Sequence, residues 1–407
     1  AAGGDSTQTA AAVGAAAAYN EVSSTTRAAI EGTDNTILVA GAATLDASST
    51  TDIDAFTLGL AGSLSASSGG TSISLAGAGS GSGNYVRNTI SSTVTDVSLE
   101  TTAGDVSLSA VDDSTINAEA GAVSVSIAAG QSSTVGVGLG LSITINDIDN
   151  DILAVIDDSD VTSSGDLTLT AMSTAEIESL AIGASLAVSA SSGGTPVAVG
   201  ATGTASSNRI SNTIKAAIED TDAGSDNTID VGGALSIDAS DSSIIDSFGF
   251  AGAIAIAAGS SGTPIAGSIG VGVALNTIDN DTAAYIEDVS DVDADTGITI
   301  AATSDAAITA RSYAAAVSVA AGSSNAVAVS GGGAVAQNVI LSKTNAFAEN
   351  TDLDSGAGID IDAMSDSAIK AEVVAASASV AAGGSSAIAA SVGISVARNF
   401  IGWDPYG

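Results

Sequence analysis

Asn20, Asn84, Asn146, Asn208, Asn276, Asn338 and Asn399 stand 64, 62, 62, 68, 62 and 61 residues apart. A chain that repeats at such an interval closes no core within one unit and buries each unit against the next. The register continues two residues later with Val22, Val86, Ile148, Ile210, Ile278, Ile340 and Ile401. A second column, Ile53, Ile116, Ile177, Ile245, Ile308 and Ile369, stands six residues after an alanine in every copy. Fixed spacing without insertion predicts one backbone geometry at that corner throughout.

The unit from Gly297 shows the pattern. Gly297-Ile298-Thr299-Ile300-Ala301-Ala302 alternates with the period of a strand. From Ile308 an arm rich in Ala, Ser and Val runs to the turn Gly322-Ser323-Ser324-Asn325, and a second arm returns through Val335 to Asn338. Alanine favours a helical hairpin, but dense glycine, alternating β-branched residues and the lack of a charged helical face favour strands. A short segment ends in an apolar-acidic pair such as Ile218-Glu219 or Ile286-Glu287, followed by an acidic, glycine-rich loop. The insertion in the copy containing Thr221 to Asp230 falls in that loop, as an exposed turn allows.

The fold expected is all-β: an elongated β-solenoid of about six repeats of roughly 62 residues, with an antiparallel β-hairpin stack as the alternative. Residues 1–400 read as one continuous array with partial units at both ends, and 401–407 as a non-repeat tail or junction holding the single tryptophan, Trp403. The seven asparagines are expected to form a ladder of side-chain amides.

Net charge is −38, from 46 acidic and 8 basic residues, yet 45% of positions are hydrophobic. Regularly placed Val, Ile and Leu are incompatible with a disordered acidic chain, so the acid decorates an ordered core. The charge excludes nucleic acid as partner, because phosphate binding needs clustered Lys and Arg. With no cysteine and no histidine, zinc-thiolate sites and histidine-activated nucleophiles are ruled out, and no enzyme is expected. No membrane span is expected either: Ala1–Ala18 lacks a basic leader, and the uncharged run Ser247–Asn276 is broken by Gly262 and Pro264. Aromatics at 3% fall short of the girdles of an outer-membrane barrel.

The candidate metal ligands are acidic clusters. Asp147, Asp149 and Asp151 surround Asn150, and Asp279 and Asp281 surround Asn280 two units on; Asp291, Asp293 and Asp295, with Asp288, form a loop cluster. Grouped hard oxygens are what Ca2+ requires. Against an EF-hand, Thr296 stands where glycine belongs and Ala302 where the bidentate glutamate belongs. Two other motifs are read as strand geometry. Ser367-Ala368-Ile369-Lys370 matches an acyl-enzyme signature, but Ile369 belongs to the isoleucine column. Gly136-Val137-Gly138-Leu139-Gly140 alternates like a strand and opens no helix. Thr168 with Thr170, Ser107 with Ser109, and Thr299 give an irregular version of an ice-binding array.

The run of an Ala/Ser/Val arm, a Gly-Ser-Ser turn, a second arm ending Val-Ala-x-Asn-x-Ile, and Gly-x-Ile-x-Ile-x-Ala resembles repeats of very large bacterial secreted and surface proteins, the filamentous leukotoxin-like adhesins and related giant exoproteins. The resemblance implies an extracellular or cell-surface β-solenoid with scaffold or adhesive function, and no catalytic residues. The expected partner is a further copy of the chain, joined head to tail where partial units expose unpaired strands. The alternative is an adhesin stalk binding a glycan or cell-surface ligand, although Tyr19, Tyr85, Tyr285, Tyr313 and Tyr406 are scattered along the sequence.

Overall fold

A computed structural model describes residues 7–221, 227–403 and 405. Every regular element among them is a strand, in one sheet of fifteen strands and one of eight. All the pairings are parallel, which overturns the antiparallel alternative. The reason lies in the Gly-Ser-Ser type turn: Val106–Gly130 belongs to one sheet and Thr134–Ile148 to the other, so the turn joins two layers instead of two neighbours in a hairpin. Each strand therefore pairs with the equivalent strand one period away, Asn84 with Asn146, Asn146 with Asn208 and Asn208 with Asn276. We call one such level a rung.

Within one rung the chain runs Thr134–Ile148, turns at Asp149 and Asn150, and continues as Asp151–Asp157 and Asp160–Ser163 in the first sheet. It enters the second sheet at Leu167–Ser173 and returns along Glu176–Ser191. The sharp corner after the apolar-acidic pair needs a left-handed residue, and Asp96, Asp158, Asp288 and Asn350 supply it with φ of 56°, 48°, 60° and 52°. Aspartate and asparagine are the side chains that tolerate this conformation best after glycine.

Three kinds of interior follow from which residues alternate inward. In the base, the three short walls enclose Ile90, Val94, Leu99, Leu108, Ile152, Ile156, Leu167 and Leu169, all essentially buried. Each such side chain contributes roughly 1.5–3 kcal/mol by leaving water. At the neck, the two regular columns of the sequence meet: Val86, Ile148, Ile210, Ile278 and Ile340 pack against Ile53, Ile116, Ile177, Ile245 and Ile308. Neither column has a core without the other.

Beyond the neck the two sheets form a thin blade whose inward residues are Ala, Ser, Thr and Gly. Hydroxyl pairs bridge the layers, Thr134 to Ser189 at 2.7 Å, Ser206 to Ser247 at 2.8 Å and Ser268 to Ser318 at 2.8 Å, so these buried polar groups are satisfied. The backbones approach so closely that a Cβ on Gly138 would stand 3.0 Å from the carbonyl oxygen of Leu186. The alternating glycines of residues 136–140 are explained by this contact, as expected for a strand. The larger apolar side chains consequently point out: Leu139 and Leu141 are 49% and 51% exposed. The blade holds no charged residue over 120–146, 179–208, 247–276 or 312–342, so among the described residues charge is confined to base and neck.

Candidate functional site

The asparagine column is a continuous hydrogen-bonded ladder. Each Nδ2 donates to the Oδ1 of the next rung: Asn20 to Asn84 at 2.7 Å, Asn84 to Asn146 at 2.7 Å, Asn146 to Asn208 at 2.8 Å. Asn208 donates to Asn276 at 2.7 Å, Asn276 to Asn338 at 2.8 Å and Asn338 to Asn399 at 2.9 Å. An amide carries both a donor and an acceptor, so one residue type satisfies itself at every level.

Four residues on lies a second column that sequence reading missed. Asn88, Asn150, Asn212 and Asn280 accept, through Oδ1, the backbone N–H of the equivalent residue one rung earlier: Ser24, Asn88, Asn150 and Asn212, at 3.1, 2.7, 2.9 and 2.8 Å. The chain leaves the strand ladder at this corner, and the side chain replaces the missing backbone acceptor. The signal was the spacing Asn-x-x-x-Asn in four successive copies. Asn150 and Asn280 also stand among acidic neighbours in the sequence, which masks their place in this column.

The same amides reach across to the second sheet. Asn150 Nδ2 donates to Asp112 Oδ2 at 2.9 Å and Ser114 Oγ at 3.1 Å, while Asn280 Nδ2 donates to Ser243 Oγ at 2.8 Å. Ser114 and Ser243 in turn donate to Asp112 and Asp241 at 2.8 and 2.6 Å. Both carboxylates are buried, and burial pushes their pKa above the ordinary aspartate range despite the hydrogen bonds they accept. The result is a polar layer between the cores of base and neck.

The proposed cation ligands are not assembled into a coordination shell. Asp149, Ser211 and Asp279 occupy successive rungs, as do Asp151, Thr213 and Asp281. The two acidic clusters are therefore two rungs apart, about 9.6 Å. Asp147 lies between Arg87 and Arg209, at 3.2 and 3.8 Å, and Asp281 faces Lys343 at 3.6 Å. Burial raises the Asp147 pKa, and the two guanidinium groups work against that shift.

Asp291, Asp293 and Asp295 do not share a loop: Asp291–Ala294 is a strand. Asp291 and Asp293 point out on one face, about 6.6 Å apart along it. Asp230, Asp293 and Asp354 are paired across three rungs, and desolvation together with these like charges raises the Asp293 pKa. Among the described residues, no group of three or more acidic, histidine or cysteine side chains is placed to hold a metal ion.

Ser367 and Lys370 stand at odd and even positions of the strand Ile359–Ala382 and so project to opposite faces. They form no acyl-enzyme pair. The aromatic residues, scattered in sequence, are grouped in space. Tyr19 and Tyr85 meet at 5.5 Å on one face of the neck, Phe248 and Tyr313 at 5.5 Å on the other, and Tyr285 stacks on Phe347 at 4.8 Å. The Tyr285 hydroxyl donates to Glu219 at 2.5 Å, and Lys215 holds the same carboxylate at 2.7 Å. Burial and Glu219 both raise the Tyr285 pKa. Tyr406 lies outside the described residues, as do Asp404 and Gly407 of the tail. Ile401 still pairs with Ile340, and Trp403 packs edge-on against Phe400 at 5.0 Å.

No family model matches the chain, nor does any curated protein or solved structure. Among the described residues, no helix is long and apolar enough to cross a membrane.

Proposed function

We propose that the chain is a structural segment of an extracellular or cell-surface filament, an elongated β-solenoid of about six repeats of roughly 62 residues that grows head to tail. The observation that carries this reading is the unbroken side-chain ladder from Asn20 to Asn399. A ladder of identical residues has no preferred end: the Asn399 amide offers to a next rung what every earlier one offers. The end strands Gln8–Val39 and Ser386–Ile401 each pair on one side only, so each end carries a row of unpaired backbone groups. A further coil satisfies them, whether from a second copy or from a continuing chain.

The extracellular location rests on the resemblance of the repeats to those of giant secreted proteins. The non-enzymatic role rests on the lack of histidine and cysteine, and the buried carboxylates Asp112 and Asp241 are held by hydrogen bonds within the polar layer. Assembly is assigned to backbone pairing and not to calcium, since Asp147 and Asp281 already face basic side chains.

Negative-stain electron microscopy with and without excess chelator tests this. Rods that lengthen with protein concentration and persist in chelator support it. Rods that dissolve in chelator would assign assembly to the acidic side chains. Particles of constant length in both conditions would remove head-to-tail growth.

A further inference from the structure

The outward face of the blade's first sheet carries a relief that nothing within the chain requires. In one column Leu139, Ile269 and Val392 alternate, rung by rung, with Gly77, Ala201 and Gly331. In the next, Leu141, Val271 and Ile394 alternate with Gly79, Gly203 and Gly333. The large members are exposed, from 41% for Val271 to 61% for Ile394. In these two columns ridges and grooves therefore repeat every two rungs, about 9.6 Å, whereas the columns through Val135 and Val137 on the same face lack that alternation, and a cleft of about 250 Å³ is lined by Val199, Ala201, Gly267, Ile269, Val329 and Gly331.

Three of the glycines of this face differ from those inside the blade, while a Cβ on Gly203 would stand 3.2 Å from Leu141 Cδ1. A Cβ on Gly77, Gly79 or Gly331 would meet no atom within 4 Å. Glycine in the middle of a strand costs roughly 0.5–1 kcal/mol, and in a regular strand where its own chain does not crowd it, close approach of another body is a reason for it. A fluid lipid surface imposes no two-rung period. The outward face of the second sheet lacks the alternation: Val125, Leu186, Ile254 and Val317 follow one another in a single column. A second copy of this chain has the same period by construction.

We propose that the ridged face is a lateral contact between two antiparallel copies. A two-fold axis along the strand direction, midway between two rungs, seats Leu139 and Leu141 over Ala201 and Gly203 of the second copy. The face is seven rungs tall and about eleven residues wide, on the order of 1,000 Å² per copy from the strand and rung spacings. A standard stable interface needs about 800 Å² per partner. The contact uses the sheet face and not the open backbone edges of the end rungs, so it does not depend on head-to-tail growth.

Sedimentation equilibrium of the 407-residue chain, with negative-stain imaging, tests it. Rod width reports lateral pairing and rod length reports stacking, so the two claims fail separately. Pairs are expected in the unaltered chain. Gly77→Leu with Gly331→Leu, which fills grooves, and Leu139→Ala with Leu141→Ala, which removes ridges, should each weaken pairing at least tenfold without changing the circular dichroism spectrum. Rods of single width at every concentration would overturn the proposal, as would pairing indifferent to both variants. Single-width chains that float with phosphatidylcholine vesicles would overturn it in favour of a lipid surface.

Discussion

The Nδ2 of Asn150 donates to the buried carboxylate of Asp112 at 2.9 Å, while its Oδ1 accepts the backbone N–H of Asn88 at 2.7 Å. One side chain thus closes a corner of the first sheet and ties it to the second. Burial of such carboxylates, against which the hydrogen bonds work, also makes stability respond to pH in an unusual direction. Burial raises the Asp112 and Asp241 pKa values in the folded chain. A raised acid pKa contributes stability that is fully present below the unfolded value, about 3.9, and is lost as pH rises through the folded value. Urea unfolding at pH 4.5 and 7.5 should therefore show a gain on acidification that shrinks in Asp112→Asn with Asp241→Asn. An unchanged pH dependence in that double variant would contradict the assignment.

Interior and terminal members of the asparagine ladder should differ in cost. Asn146→Leu strands the Nδ2 of Asn84 and the Oδ1 of Asn208 in a buried setting, a loss of about 2–6 kcal/mol when each orphaned group costs roughly 1–3. Asn399→Leu, at the exposed end rung, orphans one group, the Asn338 amide, and should cost about half as much. Denaturant midpoints of the two variants give the comparison, and equal losses would argue that the ladder is not what holds the rungs in register.

Much of this organisation was legible in the sequence because a parallel, in-register stack writes each contact as a column. Asn84 bonds to its own counterpart Asn146, so its regular spacing is its contact map. Contacts between different columns leave no such trace. That Ile148 packs against Ile116, or that Asn150 meets Asp112, depends on how the rung folds back across the neck. The acidic clusters misled for a related reason. Asp147, Asp149 and Asp151 are close in sequence, but they lie along an extended chain with a corner, beside Arg87 and Arg209 of neighbouring rungs. The outward-facing leucines of the blade also read as core by composition. Only the closeness of the two backbones at Gly138 reveals that the interior has no room for them.

Glycines on the two sides of one blade should respond oppositely to enlargement. Gly138→Val drives side-chain atoms into the Leu186 carbonyl and should cost about 1–3 kcal/mol or more, as overpacking does. Gly79→Val points into open space and should leave the unfolding midpoint of a single chain unchanged or slightly higher. Thermal unfolding of the two at low concentration makes the comparison.

Asp293 stands in register between Asp230 and Asp354 on an exposed face. Like charges placed directly opposite each other on a sheet destabilise it, and salt screens them. Asp293→Asn should raise the melting temperature at low ionic strength and lose most of that advantage in high salt. A benefit independent of salt would assign it to something other than charge.

X-ray diffraction from aligned filaments tests the central account most directly. Parallel in-register stacking along one axis predicts a strong reflection near 4.8 Å on the filament axis, from particles much longer than the seven rungs of a single chain. A 4.8 Å reflection perpendicular to that axis, or particles that never exceed the length of one chain at any concentration, would contradict it.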